Sequence, residues 1–326
     1  MSKVSVIVPV YGVEKYIERC ARSLFEQTLD DMQFIFIDDC TKDDSISILE
    51  EVIEDYPERK SQIIIYKLSN NMGLHEVRKI GISLANGDYI AHCDSDDWVD
   101  VNMYKLMYEK AINDSLDIVQ CQYYKSDGNS HVAFSYEGRN MNILERKDDI
   151  MSNILMAKGW NCIWNKITRK EIYSEFINYP KSYMFEDLVL SLQLIFYSSR
   201  IGEINLPLYY YYYNPNSICH QDNPISYINR SLSAKKNIDI ILFFVKENKL
   251  DLKFKEELLY SKYMVKLLMV KGLKTLKDYM YWENIYPDVD NQLVKSKTIP
   301  FKGKLIFLLI KLKLYHILIK FKKQIH

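Results

Sequence analysis

The chain is poor in glycine and has neither of the common glycine-rich phosphate loops. Only 10 of its 326 residues are Gly, and neither GxGxxG nor GxxxxGK followed by Ser or Thr occurs. A Rossmann dinucleotide site and a Walker P-loop therefore lack support. The six cysteines (Cys20, Cys40, Cys93, Cys121, Cys162 and Cys219) are scattered without a CxxC pair. That excludes the usual zinc ribbon and argues against a disulfide framework. The thiols read as reduced core residues of a cytoplasmic protein. Net charge is +0, which argues against a general nucleic-acid binder. The first apolar run is short and reads as a strand, not as a signal peptide. Acid is missing from one place in particular. After Asp290 there is no Asp or Glu, while Lys recurs to the end.

Hydrophobic residues make up 48% of the sequence, and the length suits one large domain plus an accessory region. Residues 3–10 form a β-branched run fitting a strand buried on both faces. Residues 14–27 predict a helix, with Ile17, Cys20, Ala21, Leu24 and Phe25 on one face. Further strands are predicted at 33–37, 63–66 and 88–93, and helices at 43–55 and 75–85. Alternation of this kind predicts an α/β fold with a mainly parallel sheet. From about residue 102 helical and strand-like segments mix. A helix is predicted near 186–198, then the tyrosine run 209–213, then two or more helices between 225 and 280.

Ligands of such sheets bind beyond the strand C-terminal ends. Two carboxylate groups sit there. Asp38-Asp39 ends the second strand, and Asp94-Ser95-Asp96-Asp97-Trp98 follows the fourth. Carboxylates crowded together repel, and a divalent cation is a common compensation. Mg²⁺ binds through a few carboxylates plus substrate phosphates, which points to an enzyme handling a diphosphate. Taken alone, the second group also reads as a solvated helix N-cap.

The motifs occur in a fixed order. Val6-Ile7-Val8-Pro9-Val10-Tyr11 comes first, then Ile37-Asp38-Asp39-Cys40-Thr41-Lys42-Asp43-Asp44-Ser45. Asn71-Met72-Gly73-Leu74 and Arg78-Lys79-Ile80-Gly81 follow, then Gly87-Asp88-Tyr89-Ile90 through Trp98, and Phe185-Glu186-Asp187 last. Together they resemble the family 2 glycosyltransferases, GT-A fold enzymes that use nucleotide sugars, over roughly residues 3–220. The family patterns are VDDGSTDGS, NxGL, ARNxG, GEYIxFLDSDDW and ED. Gly12 stands where the family usually has Asn, and Lys79 replaces another Asn.

The resemblance implies a donor set of Pro9, Tyr11, Asp38, Arg78, Asp94 and Ser95. Asp38 would accept from a uracil N3–H, Tyr11 would pack on the ring, and Arg78 would lie near the base or diphosphate. Asp94 and Asp96 look like the family's DxD pair. Asp96 would ligate Mn²⁺ or Mg²⁺, with Asp94 touching the sugar, the ribose or the metal through water. Asp97 and Trp98 are expected to cap and pack the next helix. Asp187 is the candidate general base, on the face opposite the leaving phosphate. The same residues also read simply: Asp38 as a turn cap, Arg78 as a surface ion pair, and Glu186-Asp187 as acids at a helix N-terminus. Trp164, Glu186 and His220 are candidates for the acceptor or diphosphate. Trp160, Trp164 and the tyrosine run read as sugar-stacking or core residues. His75 and His92 read as structural.

Residues 301–323 are apolar, Lys-bearing and acid-free. Lys311 and Lys313 interrupt the middle, at a cost of roughly 2.5–3.5 kcal/mol each in a bilayer centre. The segment therefore reads as an interfacial helix on an anionic membrane, or else as a helix packed on the catalytic domain.

The expected organisation is a catalytic domain at 1–220, a helical region at 221–300 and a basic tail at 301–326. Within the first, the nucleotide-sugar half is about 1–100 and the acceptor half about 101–220. The expected activity is inverting transfer from a nucleotide-sugar, on this reading a UDP-sugar, to an acceptor hydroxyl. The acceptor is expected to be a lipid-linked glycan of a bacterial surface polysaccharide, with the enzyme at the inner face of the cell membrane. Two other classes stay open. A nucleotidyltransferase also pairs carboxylates with metal, but Tyr11-Gly12-Val13-Glu14 is not its usual Gly-rich loop. A binding or scaffold protein without activity is disfavoured by the intact Asp38, Asp94, Asp96 and Asp187.

Overall fold

The computed structural model describes residues 2–134, 147–214 and 223–312. The chain forms two compact units, residues 1–221 and 222–326.

The first unit opens with the alternation read above: β1 (Val4–Val10), α1 (Ile17–Phe25), β2 (Met32–Asp38), α2 (Ser45–Glu54), β3 (Ile63–Lys67), α3 (Leu74–Leu84) and β4 (Tyr89–His92). After these come β5 (Trp98–Val99), α4 (Met103–Asn113), β6 (Ile118–Ser126), β7 (His131–Phe134), α5 (Lys147–Leu155), β8 (Lys166–Arg169), α6 (Glu186–Tyr197) and β9 (Ile201–Tyr212). Among the described residues the nine strands form one sheet in the order β3-β2-β1-β4-β8-β6-β9-β5, with β7 on β6. The run β3-β2-β1-β4 is parallel throughout. Beyond it β8 pairs antiparallel with β4 and β6, and β9 returns parallel to β6 and antiparallel to β5.

Two apolar layers enclose the parallel run. Val4, Val6 and Val8 of β1 and Phe34 and Phe36 of β2 point to the layer holding α1 and α2. There Phe25 meets Phe34 and Phe36 edge-on at 5.5 and 5.9 Å. Ile7, Ile35 and Ile37 point to the other layer, against Val77 and Ile82 of α3. Each fully buried side chain of this kind contributes about 1.5–3 kcal/mol. Close approach of α3 to β1 depends on Gly81, where a Cβ would lie 2.3 Å from Ile7 Cγ2. Register then places the site. Val10 pairs with Asp38, and Ile7 with His92, so Asp38 and Asp94 reach the same C-terminal rim.

Helix α1 starts at Ile17, three residues later than periodicity suggests. The preceding residues form a turn, with Tyr16 N–H donating to the Val13 carbonyl at 2.8 Å. The tyrosine run belongs to β9 up to Tyr212, and the strand inserts Tyr209 fully into the core.

The second unit holds α7 (Pro224–Glu247), α8 (Lys255–Met269), α9 (Leu276–Asn284), α10 (Pro287–Gln292) and α11 (Phe301–Lys311). Reciprocal capping boxes start α7 at Asn223/Ser226 and α9 at Thr275/Asp278. Lys266 is wholly buried and donates to the Trp282 and Ile285 carbonyls, both at 2.8 Å. Helix α11 packs Phe307 on Tyr263 and Trp282 at 5.0 and 4.9 Å. Its other side exposes Phe301, Leu305, Leu308 and Leu312. No described helix is long and apolar enough to cross a membrane.

Candidate active site

The loops after β1 and β2 are locked together by short polar side chains. Thr41 Oγ1 accepts from Gly12 N–H at 2.9 Å, and Ser45 Oγ accepts from Val13 N–H at 3.0 Å. Asp43 accepts from Glu14 N–H at 3.0 Å and from the Thr41 and Ser45 hydroxyls at 2.7 and 2.6 Å. These hydrogen bonds hold the Asp43 carboxyl below its usual range, against a desolvation effect that is larger individually. Gly12 has φ +69°. Gly and Asn are the two residues that reach this region most readily, so the replacement of Asn by Gly keeps the turn. Cys40, at φ +58°, occupies the same region where the family pattern has Gly.

Asp38 and Asp39 divide their work. Asp38 Oδ1 accepts from Thr41 N–H at 2.8 Å and is largely buried beneath the loop. Asp39 accepts from the N–H groups of Met72 and Gly73 at 2.6 and 2.9 Å, which fixes the segment leading into α3.

The acidic segment after β4 is held from three sides. Tyr209 OH donates to Asp97 Oδ2 at 2.6 Å and accepts from Asp94 N–H at 3.1 Å. Tyr212 N–H donates to Asp97 Oδ1 at 2.7 Å. Asp97 thus anchors β9 and does not cap α4, which starts after Asn102 with no side-chain cap. Burial pushes the Asp97 carboxyl well above the usual carboxylate range. Trp98 likewise pairs with β9, stacks on Tyr210 at 5.1 Å and carries the Arg19 guanidinium 3.7 Å over its ring. The expectation that both residues serve the next helix is corrected: a strand returning from over 100 residues away takes them first. Arg19 Nη2 also donates to the Asp96 carbonyl at 2.9 Å, and Asn214 Nδ2 donates to Asp96 Oδ2 at 3.0 Å. Arg19, Tyr209 and Asn214 were not singled out from the sequence. Only the tyrosine run gave a sign of one of them.

Asp187 lies in the first turn of α6. The residue before the helix, Phe185, is left-handed at φ +62°. Strain of this kind clusters at functional sites. Arg78, buried at 2% exposure, reaches across from α3. Its Nη2 contacts Asp94 Oδ1 at 2.6 Å, and its Nη1 contacts Asp187 Oδ1 at 2.8 Å and Glu186 Oε1. The guanidinium expected at the donor's base or diphosphate is thus engaged by three carboxylates. Burial raises the Asp187 carboxyl, while Arg78 opposes the shift.

Two clefts meet at this point. One, of about 730 Å³, is lined by Pro9, Tyr11, Asp39, Asp94, Ser95 and Asp96 among others. The second, of about 370 Å³, includes Arg78, Trp164, Tyr183, Glu186 and Asp187. Leu74, Asp94, Asp96 and Asn214 line both. Tyr11 is 53% exposed, whereas Asp38 does not line the first cleft. Trp164 is packed between Tyr209 at 4.4 Å and Tyr211 at 5.6 Å, and Trp160 is wholly core. His92 is buried beside Tyr173 at 3.2 Å, and burial then Arg78 hold it well below its usual pKa. His220 lies outside the described residues.

Asp94 and Asp96 offer hard oxygens at the shared wall. Burial, and next the charge of Asp94, raise the Asp96 carboxyl. A divalent cation there would relieve that excess of negative charge. Among the described residues no three His, Cys, Asp or Glu side chains converge as a ready-made cage. The hard oxygens of Asp94 and Asp96 fit Mg²⁺ or Mn²⁺, which bind through one or two carboxylates with ligand phosphates completing the shell.

The family model for "Glycosyl transferase family 2" matches residues 5–175. The chain belongs to this family. Its curated relatives include the "Uncharacterized glycosyltransferase EpsJ" of Bacillus subtilis, 32% identical over 66% of this chain and 62% of that protein. The chain thus spans about three-fifths of that relative's length. "Glycosyltransferase GlyG" of Streptococcus pneumoniae is 26% identical over 93% of this chain and 96% of that protein. Among solved structures, S. aureus TarS 1-349 in complex with UDP-GlcNAc superposes with TM-score 0.60 at 16% identity, covering 94% of this chain and 91% of that one. That likeness shows the fold, a GT-A α/β domain followed by a helical C-terminal region. In this family member, the carboxylates of Asp94, Asp96, Glu186 and Asp187 come together from segments some 90 residues apart.

Proposed function

We propose that the protein is an inverting glycosyltransferase that moves a sugar from a UDP-sugar to an acceptor hydroxyl. The observation that carries this reading is the shared wall: Asp94 and Asp96 line both clefts, and Asp187 lies in the second only. The larger cleft takes the donor, with Tyr11 packing on the base, Pro9 and Ser95 along the wall, and Asp38 at the base N–H or shaping the loop that meets it. UDP-GlcNAc in the TarS complex supports a uridine nucleotide. Asp96, with Asp94, would hold Mn²⁺ or Mg²⁺, which supplies Lewis-acid stabilisation of the leaving diphosphate. Asp187 takes the proton of the acceptor hydroxyl. Its raised pKa brings the carboxylate toward the basicity such a step needs. Attack from the Asp187 side, opposite the leaving group, inverts the anomeric carbon. Trp164 and Glu186 flank the acceptor in the smaller cleft, and His220 is assigned to the acceptor or diphosphate on the resemblance alone.

The acceptor proposed is a lipid-linked glycan of a bacterial surface polysaccharide, with the protein peripheral on the inner face of an anionic membrane. Helix α11 supports the membrane contact. Phe301, Leu305, Leu308 and Leu312 recur at spacings of four, three and four on its exposed side, beside Lys302 and Lys311. The 36 residues from Asn291 to His326 contain no acid, and each surface lysine adds about 1 kcal/mol on an anionic leaflet. Removing residues 301–326 should release the protein from anionic liposomes; unchanged cosedimentation rules the segment out as anchor. For the reaction, a panel of UDP-sugars with glycan and lipid-linked acceptors is assayed for UDP release, and the product's anomeric configuration is read by NMR. Transfer with inversion is expected. Retention of configuration, or a product carrying the nucleotide, contradicts the assignment.

A further inference from the structure

Arg78 is the most enclosed charged group between the two clefts. It is 2% exposed, and its fork faces three carboxylates from two separate segments, the loop after β4 and the start of α6. Nη2 holds Asp94 Oδ1 at 2.6 Å, and Nη1 holds Asp187 Oδ1 at 2.8 Å together with Glu186 Oε1. Asp94 lies on the wall that the two clefts share, and Glu186 and Asp187 line the smaller cleft only. A planar guanidinium has fixed distances between its nitrogens, so the two acids it bridges are held at a set separation. Helix α3 is itself fixed on β1 by Gly81, and its entry is fixed by Asp39.

The arrangement leaves the reacting oxygens free. Only Oδ1 of Asp187 is taken by Arg78, and the side chain is 26% exposed at the cleft. Glu186 is 6% exposed along its side chain, and among the described residues neither its Oε2 nor Arg78 Nε has a hydrogen-bond partner.

We propose that Arg78 is a positioning residue whose buried guanidinium, through Asp94 on the donor side and Glu186 and Asp187 on the acceptor side, fixes the general base relative to the diphosphate rim. Glu186 anchors the fork, and Asp187 receives its orientation from it. This rests on the glycosyltransferase reading above. It assigns Arg78 to the spacing between subsites and not to direct contact with the nucleotide. Alignment of reacting groups is sensitive to shifts of about 1 Å, worth roughly 100-fold in rate.

The test compares wild type, Arg78→Gln, Arg78→Lys and Glu186→Gln. UDP affinity is measured by calorimetry without metal and with Mn²⁺, and kcat and donor KM are measured with a productive UDP-sugar. Arg78→Gln should lower kcat about 100-fold while UDP affinity and donor KM stay within threefold. Arg78→Lys keeps the charge but not the fork, and should recover about tenfold of that loss. Glu186→Gln should lower kcat about tenfold with the same unchanged UDP affinity. If Arg78→Gln does not fold, Arg78→Lys and Glu186→Gln carry the comparison. UDP affinity falling as far as kcat overturns the proposal and returns Arg78 to the donor. Turnover within threefold of wild type in all variants overturns it as well. Absence of transfer by wild type with every donor instead overturns the glycosyltransferase reading, and the proposal with it.

Discussion

The first hundred residues of the first unit, proposed as its nucleotide half, and the remainder, proposed as its acceptor half, are built by different means. In the nucleotide half the chemistry-bearing residues end consecutive parallel strands, and their loops are cross-linked over about 30 residues by Thr41, Asp43 and Ser45. In the acceptor half the contacts that define the site run over 100 residues: Arg78 to Asp187, Tyr209 to Asp97, Asn214 to Asp96. Under the proposed function, local motifs would place the nucleotide and long-range pairing would place the general base. Changes to the first set of contacts should act on donor binding, and changes to the long-range set on turnover or on the integrity of the wall they share.

The largest effect is expected at Asp187. Asp187→Asn removes the base and should lower kcat by about 10²–10⁴-fold, with UDP affinity in calorimetry nearly intact. Full turnover in that variant refutes the assignment. In wild type kcat/KM should fall as acid protonates Asp187. Because burial raises that carboxyl, the acid limb should lie above the ordinary carboxylate pKa of about 4. A limb at or below that value removes Asp187 as the titrating group.

Next comes the donor side. Asp96→Asn should lower kcat/KM about 100-fold through lost stabilisation of the leaving group, and should make UDP affinity indifferent to Mn²⁺. A variant that keeps its metal response moves the metal away from Asp96.

Smaller effects test the long-range ties. Tyr209→Phe removes the hydroxyl that serves both Asp97 and Asp94. It leaves a buried carboxylate with fewer donors, which should cost about 1–3 kcal/mol in denaturant unfolding. No change in the unfolding midpoint would mean that β9 does not depend on this contact. The smallest change expected is a gain. Cys40→Gly relieves a left-handed non-glycine residue, offset by the greater freedom of glycine in the unfolded chain, for a net stabilisation of about 1 kcal/mol or less. A loss of stability there would show that the Cys40 side chain matters to the loop.

The same contrast explains what the sequence discloses. The four parallel strands and three helices of residues 4–92 follow from apolar periodicity, because each is buried in a predictable way and joined by short turns. Asp38 and Asp94 could be placed at strand ends on that basis alone. Apart from the helix expected near 186–198, which is α6 (Glu186–Tyr197), residues 98–212 resist such reading. A two-residue strand such as Trp98–Val99 has no periodicity to detect, and β9 shifts register against β6 near Gln122. Asp97 looks like a cap because it precedes a helix within a few residues, yet a hydroxyl and an N–H from β9 claim it. The resemblance places Arg78 near the base or diphosphate, but its buried guanidinium takes nearby carboxylates, and two of those lie more than 100 residues downstream. Trp164 carries no sign in sequence of whether its ring faces a sugar or the core. Tyr209 and Tyr211 now bracket it, leaving part of its surface on the cleft.

The measurement that bears most directly on the account is calorimetric titration of UDP into the full chain, with and without Mn²⁺, for wild type and Asp96→Asn. Metal-dependent binding in wild type that is lost in the variant is the predicted result. No binding by wild type in either condition would contradict the nucleotide-diphosphate site at Asp94 and Asp96.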